Sequence, residues 1–235
     1  EAWVNYVAGV LAGLGERGQL RFGFDAMFFG NVPLGAGLSS SAALEMSAGL
    51  ALSKLYDINV DRLTMARIGQ TAEHDYVGVK CGLLDQITSL YGVSDQLVET
   101  DFRTLAVKTI PLDPAVVFLM CNTHVRHALV DGEYNERRAA CEEASAHFAK
   151  VLSYPVKALR DVSMAEWEAH KGGLPEVVAR RAAHPISENE RVLAAATALQ
   201  NNDTVEFGRL MFASHESSRV NFENSTPELD YLVAT

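Results

Sequence analysis

No stretch of this sequence approaches the roughly 18 consecutive apolar residues that a membrane-crossing helix needs. The longest apolar run, Ala115 to Cys121, fits a buried strand instead. Cysteine is scarce. Cys81, Cys121 and Cys141 are three in number and form no CxxC pair, so neither a disulfide framework nor a zinc site is expected. Reduced thiols in a cytoplasmic protein are the expectation. Lys/Arg runs are absent and the formal net charge is −10, which argues against nucleic acid or an anionic membrane surface as partner. A nucleotide remains admissible, because backbone dipoles and a metal ion can set the field locally against the overall charge. Histidine gives no metal set: His124 and His127 lie three apart with no third ligand in evidence.

What the chain does have is material for a core, since 48% of its 235 residues are hydrophobic and 21% charged, the balance of a globular protein. That length admits one large domain or two small ones. There is no internal repeat and no low-complexity linker. The first residue is Glu1, not Met, and a helical pattern is already under way there, which leads us to expect a piece of a longer protein.

Apolar spacing predicts a helix over Trp3–Leu14 and a strand over the aromatic-rich Arg21–Phe29, followed by a Gly/Pro loop from Gly30 to Leu38. A second helix carries Ala42, Ala43, Met46, Leu50 and Leu55 on or near one face. Asp61 can cap a third, running to about Tyr76 and ended by Gly78, and a short fourth covers Leu84–Leu90. Strands are expected at Gln96–Asp101, Leu105–Ile110 and Ala115–Cys121, with the passage to a second domain at the last of these. Helices then dominate: Gly132 to about Leu152, Met164–His170, Glu188–Leu199 and Thr204–Ser214. This order implies an α+β fold rather than a doubly wound parallel sheet.

The segment Pro33-Leu34-Gly35-Ala36-Gly37-Leu38-Ser39-Ser40-Ser41-Ala42-Ala43 carries the chemistry. Glycines on either side of Ala36 allow a tight turn and close approach to a ligand. The serines open a long helix whose first N–H groups, macrodipole and hydroxyls suit an anion, phosphate above all. A Ser-capped helix after a glycine turn, with no ligand, is the plainer alternative. Other phosphate and nucleophile motifs fail. A Walker A loop needs a lysine that is missing, a dinucleotide GxGxxG needs glycine where Ser40 stands, and GxSxG is absent.

As a whole, Pro33–Ala42 resembles the phosphate-binding motif of the GHMP kinases, Pro-x-x-x-Gly-Leu-x-Ser-Ser-Ala. The flanking Gly30-Asn31-Val32 and Leu44-Glu45 resemble its galactokinase branch in particular. Further matches are Ala72-Glu73-His74-Asp75-Tyr76-Val77-Gly78, then Cys81-Gly82-Leu83-Leu84-Asp85-Gln86, and Arg126-His127 with Glu133-Tyr134-Asn135-Glu136-Arg137-Arg138. His215-Glu216-Ser217-Ser218-Arg219 and Pro227-Glu228-Leu229-Asp230 continue the similarity, which runs from Trp3 to Leu232.

The resemblance implies a GHMP-kinase type α+β fold, with a ribosomal protein S5 domain 2-like N-terminal part and a helix-rich C-terminal part. Residues 1–112 would be the N-terminal kinase domain with nucleotide loop and base, and residues 113–235 part of the C-terminal domain on the sugar side. It implies a transferase that moves the γ-phosphoryl group of ATP to the anomeric hydroxyl of galactose, in galactose metabolism, with Mg²⁺ and no protein, nucleic-acid or membrane partner. Gly35, Ala36, Gly37, Leu38, Ser39, Ser40 and Ser41 would hold the nucleotide phosphates, and Ser41 and Glu73 the metal ion. Asp85 would be the catalytic base, and Gly82, Asp85 and Tyr134 would meet the sugar. Without the motif, Asp85 reads as a carboxylate favoured by a helix N-terminus, Glu73 as a solvated helix residue, and Gly82 as relief of a tight turn. Tyr134 would lead a core stripe with Cys141, Ser145 and Phe148. Other readings are a different sugar-1-kinase or a non-catalytic sensor of galactose and ATP. The family's N-terminal Gly-Arg-x-Asn-Leu-Ile-Gly-Glu-His-Thr-Asp-Tyr type motif and its C-terminal glycine-rich motif have no match. A fragment with little turnover of its own is therefore expected.

Overall fold

The computed structural model describes residues 3–123 and 131–235, with side chains from residue 135 onward in the second stretch. The chain divides into two compact units, Glu1–Pro111 and Leu112–Thr235. In the first, α1 (Val4–Gly15) and α2 (Ser40–Leu55) pack on α3 (Arg62–Thr71) and α4 (Leu84–Tyr91). Val10 and Leu14 of α1, Met46 of α2, Met65 of α3 and Ile87 of α4 are fully or almost fully enclosed in the shared core. Burial of each such side chain is worth about 1.5–3 kcal/mol.

Asp61 caps α3 as expected. Its Oδ1 accepts from the Thr64 amide at 2.9 Å and its Oδ2 from the Thr64 hydroxyl at 2.6 Å, a cap typically worth about 1 kcal/mol. Beyond Thr71 the helix widens into a π-helical turn, Ala72–Val77, and stops at Gly78. Two strands follow, β1 (Gln96–Asp101) and β2 (Ala106–Pro111), antiparallel with Gln96 opposite Pro111 and Asp101 opposite Ala106. The connecting turn is closed by Asp101 Oδ1, which accepts from the amides of Arg103 and Thr104.

Two expected strands do not form. Residues 21–29 and 115–121 have no strand pairing, and β1–β2 is the only ladder among the described residues. An isolated strand cannot satisfy its own amides and carbonyls, so an apolar run without a pairing edge stays irregular. The run Ala115–Cys121 is also not buried, with Leu119 86% exposed; in the other segment Phe29 is 96% exposed. Phe22 and Phe24 are instead held by their rings, 5.1 and 6.5 Å from that of Tyr56.

The second unit is helical: α5 (Asp131–Val151), α6 (Met164–His170), α7 (Glu176–Gln200), α8 (Thr204–Ser217) and α9 (Pro227–Ala234). Ala140, Ala144 and Phe148, at four-residue spacing on α5, meet Val178, Ala182 and Ile186 of α7. Helix α7 begins 12 residues before the expected Glu188 and runs through Pro185. Pro185 removes one helical hydrogen bond, but the buried Ala182, Ala183 and Ile186 on either side keep that turn packed. Helix α9 carries a signature that the periodicity reading passed over: Thr226 accepts from the Leu229 amide, and Pro227 stands in the first turn. Helices with one small antiparallel sheet make the fold α+β, as expected.

Candidate active site

The loop before α2 takes the shape that its glycines permit. Gly35 and Gly37 lie at φ 69° and 71°, and a Cβ added at either would meet nothing within 4 Å, so the loop's outer space is open. Ser39 is left-handed too, at φ 53°, which costs a non-glycine residue about 1–2 kcal/mol. Its side chain makes no cap bond to the helix, so the simple Ser-capped reading does not hold. Strained residues of this kind concentrate where a ligand is bound. Gly35, Ala36, Gly37, Leu38 and Ser39 thus form one open turn feeding the N-terminus of α2, whose first two residues are Ser40 and Ser41.

Glu73 stands on an element that packs against α1 and α3, and Asp85 on one that packs against α2 and α3. Glu73, 5% exposed, is in the π-helical turn after α3, and Asp85 is in the first turn of α4. Both act electrostatically on Glu45, which sits one helical turn along α2 from Ser41. Glu73 and Asp85, from two separate elements, thus both lie within electrostatic reach of the helix that carries Ser41. The loop that joins Glu73 to Asp85 is pinned at the Cys81 carbonyl, which accepts from Gln70 Nε2 at 3.1 Å and lies 2.9 Å from His74 Nε2. Gly82 in that loop is exposed, has a clear space at its Cβ position and is not left-handed. Tyr134 falls within α5, but its side chain lies outside the described residues, as do Arg126 and His127 altogether. Of the stripe proposed with Tyr134, Phe148 is buried, while Cys141 and Ser145 are half-buried.

The site has an interior that motif reading did not single out. Glu45 and Gln86 are both 0% exposed, and Gln86 Nε2 donates to Glu45 Oε2 at 3.1 Å. Burial pushes the Glu45 carboxyl up to about 8, with Glu73 and Asp85 adding to the rise and the Gln86 bond opposing it. Tyr6 of α1 is raised by burial and then by Glu73, Glu45 and Cys81, and burial raises the Cys81 thiol to about 11. A sequence signal for Glu45 existed: it is the one acid in Ser40–Leu55, on the face that buries Ala42, Met46, Gly49 and Leu52.

Among the described residues no three His, Cys, Asp or Glu side chains form a metal-binding group. The hydroxyl of Ser41 and carboxylate of Glu73 are hard oxygen donors of the kind magnesium takes, with phosphate oxygens and water completing its shell. The donor set fits that ion. No helix among the described residues is long and apolar enough to cross a membrane, and the three cysteines are unpaired.

Residues 5–93 match the GHMP kinases N terminal domain, and the chain has a GHMP-kinase type fold. In particular, the chain is similar to galactokinases. It is 43% identical over 237 residues to that of Mannheimia succiniciproducens, a match spanning 99% of this chain and 60% of the relative. It is 43% identical to the galactokinase of Haemophilus influenzae over 98% of this chain and 60% of the relative. To that of Roseiflexus sp. it is 40% identical over 100% of this chain and 60% of the relative. The crystal structure of Lactococcus lactis galactokinase complexed with galactose matches with a TM-score of 0.81 and 33% identity, over 98% of this chain and 60% of that one. The chain thus spans 60% of the length of the curated relatives it matches.

Proposed function

We propose that this chain is the part of a galactokinase that holds the nucleotide loop and the base, in a protein that transfers the γ-phosphoryl group of ATP to the anomeric hydroxyl of galactose. The observation that carries the reading is the similarity to galactokinases along nearly the whole chain, together with the left-handed turn of Gly35, Gly37 and Ser39 at the start of α2. Residues 1–112 serve as the N-terminal kinase domain and residues 113–235 as part of the C-terminal domain on the sugar side. Three unpaired cysteines fit a cytoplasmic setting.

In this reading the amides and hydroxyls of Gly35–Ser41 bind the nucleotide phosphates, and the α2 dipole favours their charge. Ser41 and Glu73 would hold Mg²⁺, which would supply positive charge against the phosphate oxygens. Asp85 orients the anomeric hydroxyl and accepts its proton as the new O–P bond forms. Gly82 leaves room for the sugar, since no side chain fills the space beside it, and Tyr134 contributes a further sugar contact. Phosphoryl transfer asks mainly for positioning and charge stabilisation, and one helix start with two carboxylates from adjacent elements supplies the beginnings of both.

The test is galactose 1-phosphate formation by the full-length protein and its Asp85→Asn variant, with binding of both ligands measured alongside. Asn keeps the volume of Asp but cannot take the proton. The expected outcome is product from the wild type and a loss of roughly 10²–10⁴ in rate for the variant, with ATP binding intact. Near-normal product from Asp85→Asn would remove the base. Tight binding of both ligands with no product from the wild type would make the protein a sensor.

A further inference from the structure

We propose that Glu45 and Gln86 are positioning residues for the transfer step: their buried pair fixes the first turn of α4, and with it Asp85, against the helix that grows out of the 33–41 loop. The inference rests on the kinase reading above, and it adds a joint between the two halves of that site. Asp85 is the immediate neighbour of Gln86. Glu45 is one helical turn from Ser41, so a single hydrogen bond of 3.1 Å links the base side to the phosphate side across 41 positions of sequence.

Three features argue that this pair is more than core filling. First, an acid and an amide are costly to bury where leucine or methionine would pack without penalty, and both are fully enclosed. Second, the third helix packs closely on them. A Cβ at Gly69 of α3 would meet Met46 Cε first and would also lie 2.9 Å from Glu45 Oε2 and 3.1 Å from Gln86 Cγ, so the pair and its neighbour Met46 leave no space for a side chain there. Third, the remaining oxygens, Glu45 Oε1 and Gln86 Oε1, are buried without hydrogen-bond partners among the described residues. A carboxyl that keeps its proton, as burial favours for Glu45 with Tyr6, Glu73, Cys81 and Asp85 around it, carries a donor that this acceptor-rich pair lacks when ionised. Gln86 Nε2 also lies 3.8 Å from Cys81 Sγ, so the joint continues into the loop that contains Gly82.

A base held through one joint is sensitive to that joint, since misplacement by about 1 Å can cost on the order of 10²-fold in rate. The test uses the full-length protein with Glu45→Ala, Gln86→Met and Glu45→Gln, each checked for folding by its thermal transition and assayed at saturating ATP and galactose. For Glu45→Ala and Gln86→Met, kcat should fall about 10- to 100-fold while both KM values stay within about threefold, the mark of lost alignment rather than lost binding. Glu45→Gln, neutral and able both to donate and to accept, should recover kcat to within about threefold of wild type. If Glu45→Ala does not fold, Gln86→Met and Glu45→Gln decide the matter. Folded variants with lower melting temperatures and unchanged kcat would overturn the proposal, as would a Glu45→Gln variant no better than the disruptive ones. Absence of product from the wild type would instead overturn the kinase reading, and the proposal with it.

Discussion

The hydroxyl of Tyr56, at the end of α2, donates to the carbonyl of Phe22 at 2.6 Å, and the two rings pack with centroids 5.1 Å apart. This contact holds residues 21–29 where no neighbouring strand pairs with them. Removing the hydroxyl in Tyr56→Phe keeps the ring packing but strips the partner from the Phe22 carbonyl, at a cost of about 0.5–1.5 kcal/mol. Urea unfolding should show a lower midpoint with an unchanged slope. Trypsin should also cut sooner at Arg21. An unchanged midpoint would mean that water replaces the bond without loss.

Tyr56 also marks where the sequence could be read and where it could not. Helices were legible because their signals are local: Asp61 before α3 and the apolar faces of α1, α2 and α5. The hairpin β1–β2 was legible for the same reason. Strands at 21–29 and 115–121 were not, because strand formation depends on an edge elsewhere, and composition reports only the apolar run. In the site, the glycine loop, Glu73 and Asp85 are legible through motif resemblance alone, whereas the left-handed turn at Ser39 and the burial of Glu73 needed the fold. Glu45 has no legible role in the sequence, since an acid on an apolar helix face gains its meaning from Gln86, far along the chain and on another helix.

Stability should depend on pH through Glu45. Its ordinary value of 4.5 rises in the folded protein to about 8, so the native state keeps a proton that the unfolded chain releases. The stability tied to this group is complete below 4.5 and declines as pH rises toward 8, by at most about 1.4 kcal/mol per pH unit. Glu45→Gln does not titrate, while Tyr6, Glu73, Cys81 and Asp85 are common to both proteins. In metal-free buffer the stability of Glu45→Gln relative to wild type should therefore climb between pH 5 and 8. Parallel unfolding curves across that range would contradict a raised Glu45.

The three thiols should react in a fixed order. Cys121 is exposed, whereas Cys81 and Cys141 are half-buried, and burial raises both of the latter thiols, Cys81 to about 11. Thiolate is the reactive form, so at neutral pH Cys81 presents on the order of one thiolate in 10⁴. Iodoacetamide at pH 7.5, followed by peptide mapping of this 235-residue chain, should label Cys121 first and Cys81 last. Early labelling of Cys81 would show that its surroundings are more open or less acidic than the Glu73 and Glu45 carboxyls beside it require.

Ser41 and Glu73 make the last prediction, because it separates a metal site from a merely buried acid. Glu73 is enclosed beside Cys81 and Glu45, while Ser41 is the second residue of α2 and half-buried. If both hold Mg²⁺, Ser41→Ala and Glu73→Gln in the full-length protein should each raise the magnesium concentration needed for half-maximal rate. A rise of roughly 10- to 100-fold is the scale seen when groups supporting a metal are lost. Gln keeps the volume of Glu73 and the hydrogen-bond acceptor beside Cys81, so the packing of the π-helical turn is preserved and the loss falls on the charge. Ser40→Ala, which removes a hydroxyl from the same turn but not from the metal, should leave the magnesium requirement unchanged. Galactose binding measured without nucleotide should be unaffected in all three, because none of Ser40, Ser41 and Glu73 is assigned to the sugar. Rates at varied magnesium together with calorimetry for galactose supply both readouts. Were Glu73 only a structural acid, Glu73→Gln would shift the melting temperature and leave the magnesium curve in place. That outcome, joined by an unchanged curve for Ser41→Ala, would remove the metal assignment while leaving Asp85 and the phosphate loop standing.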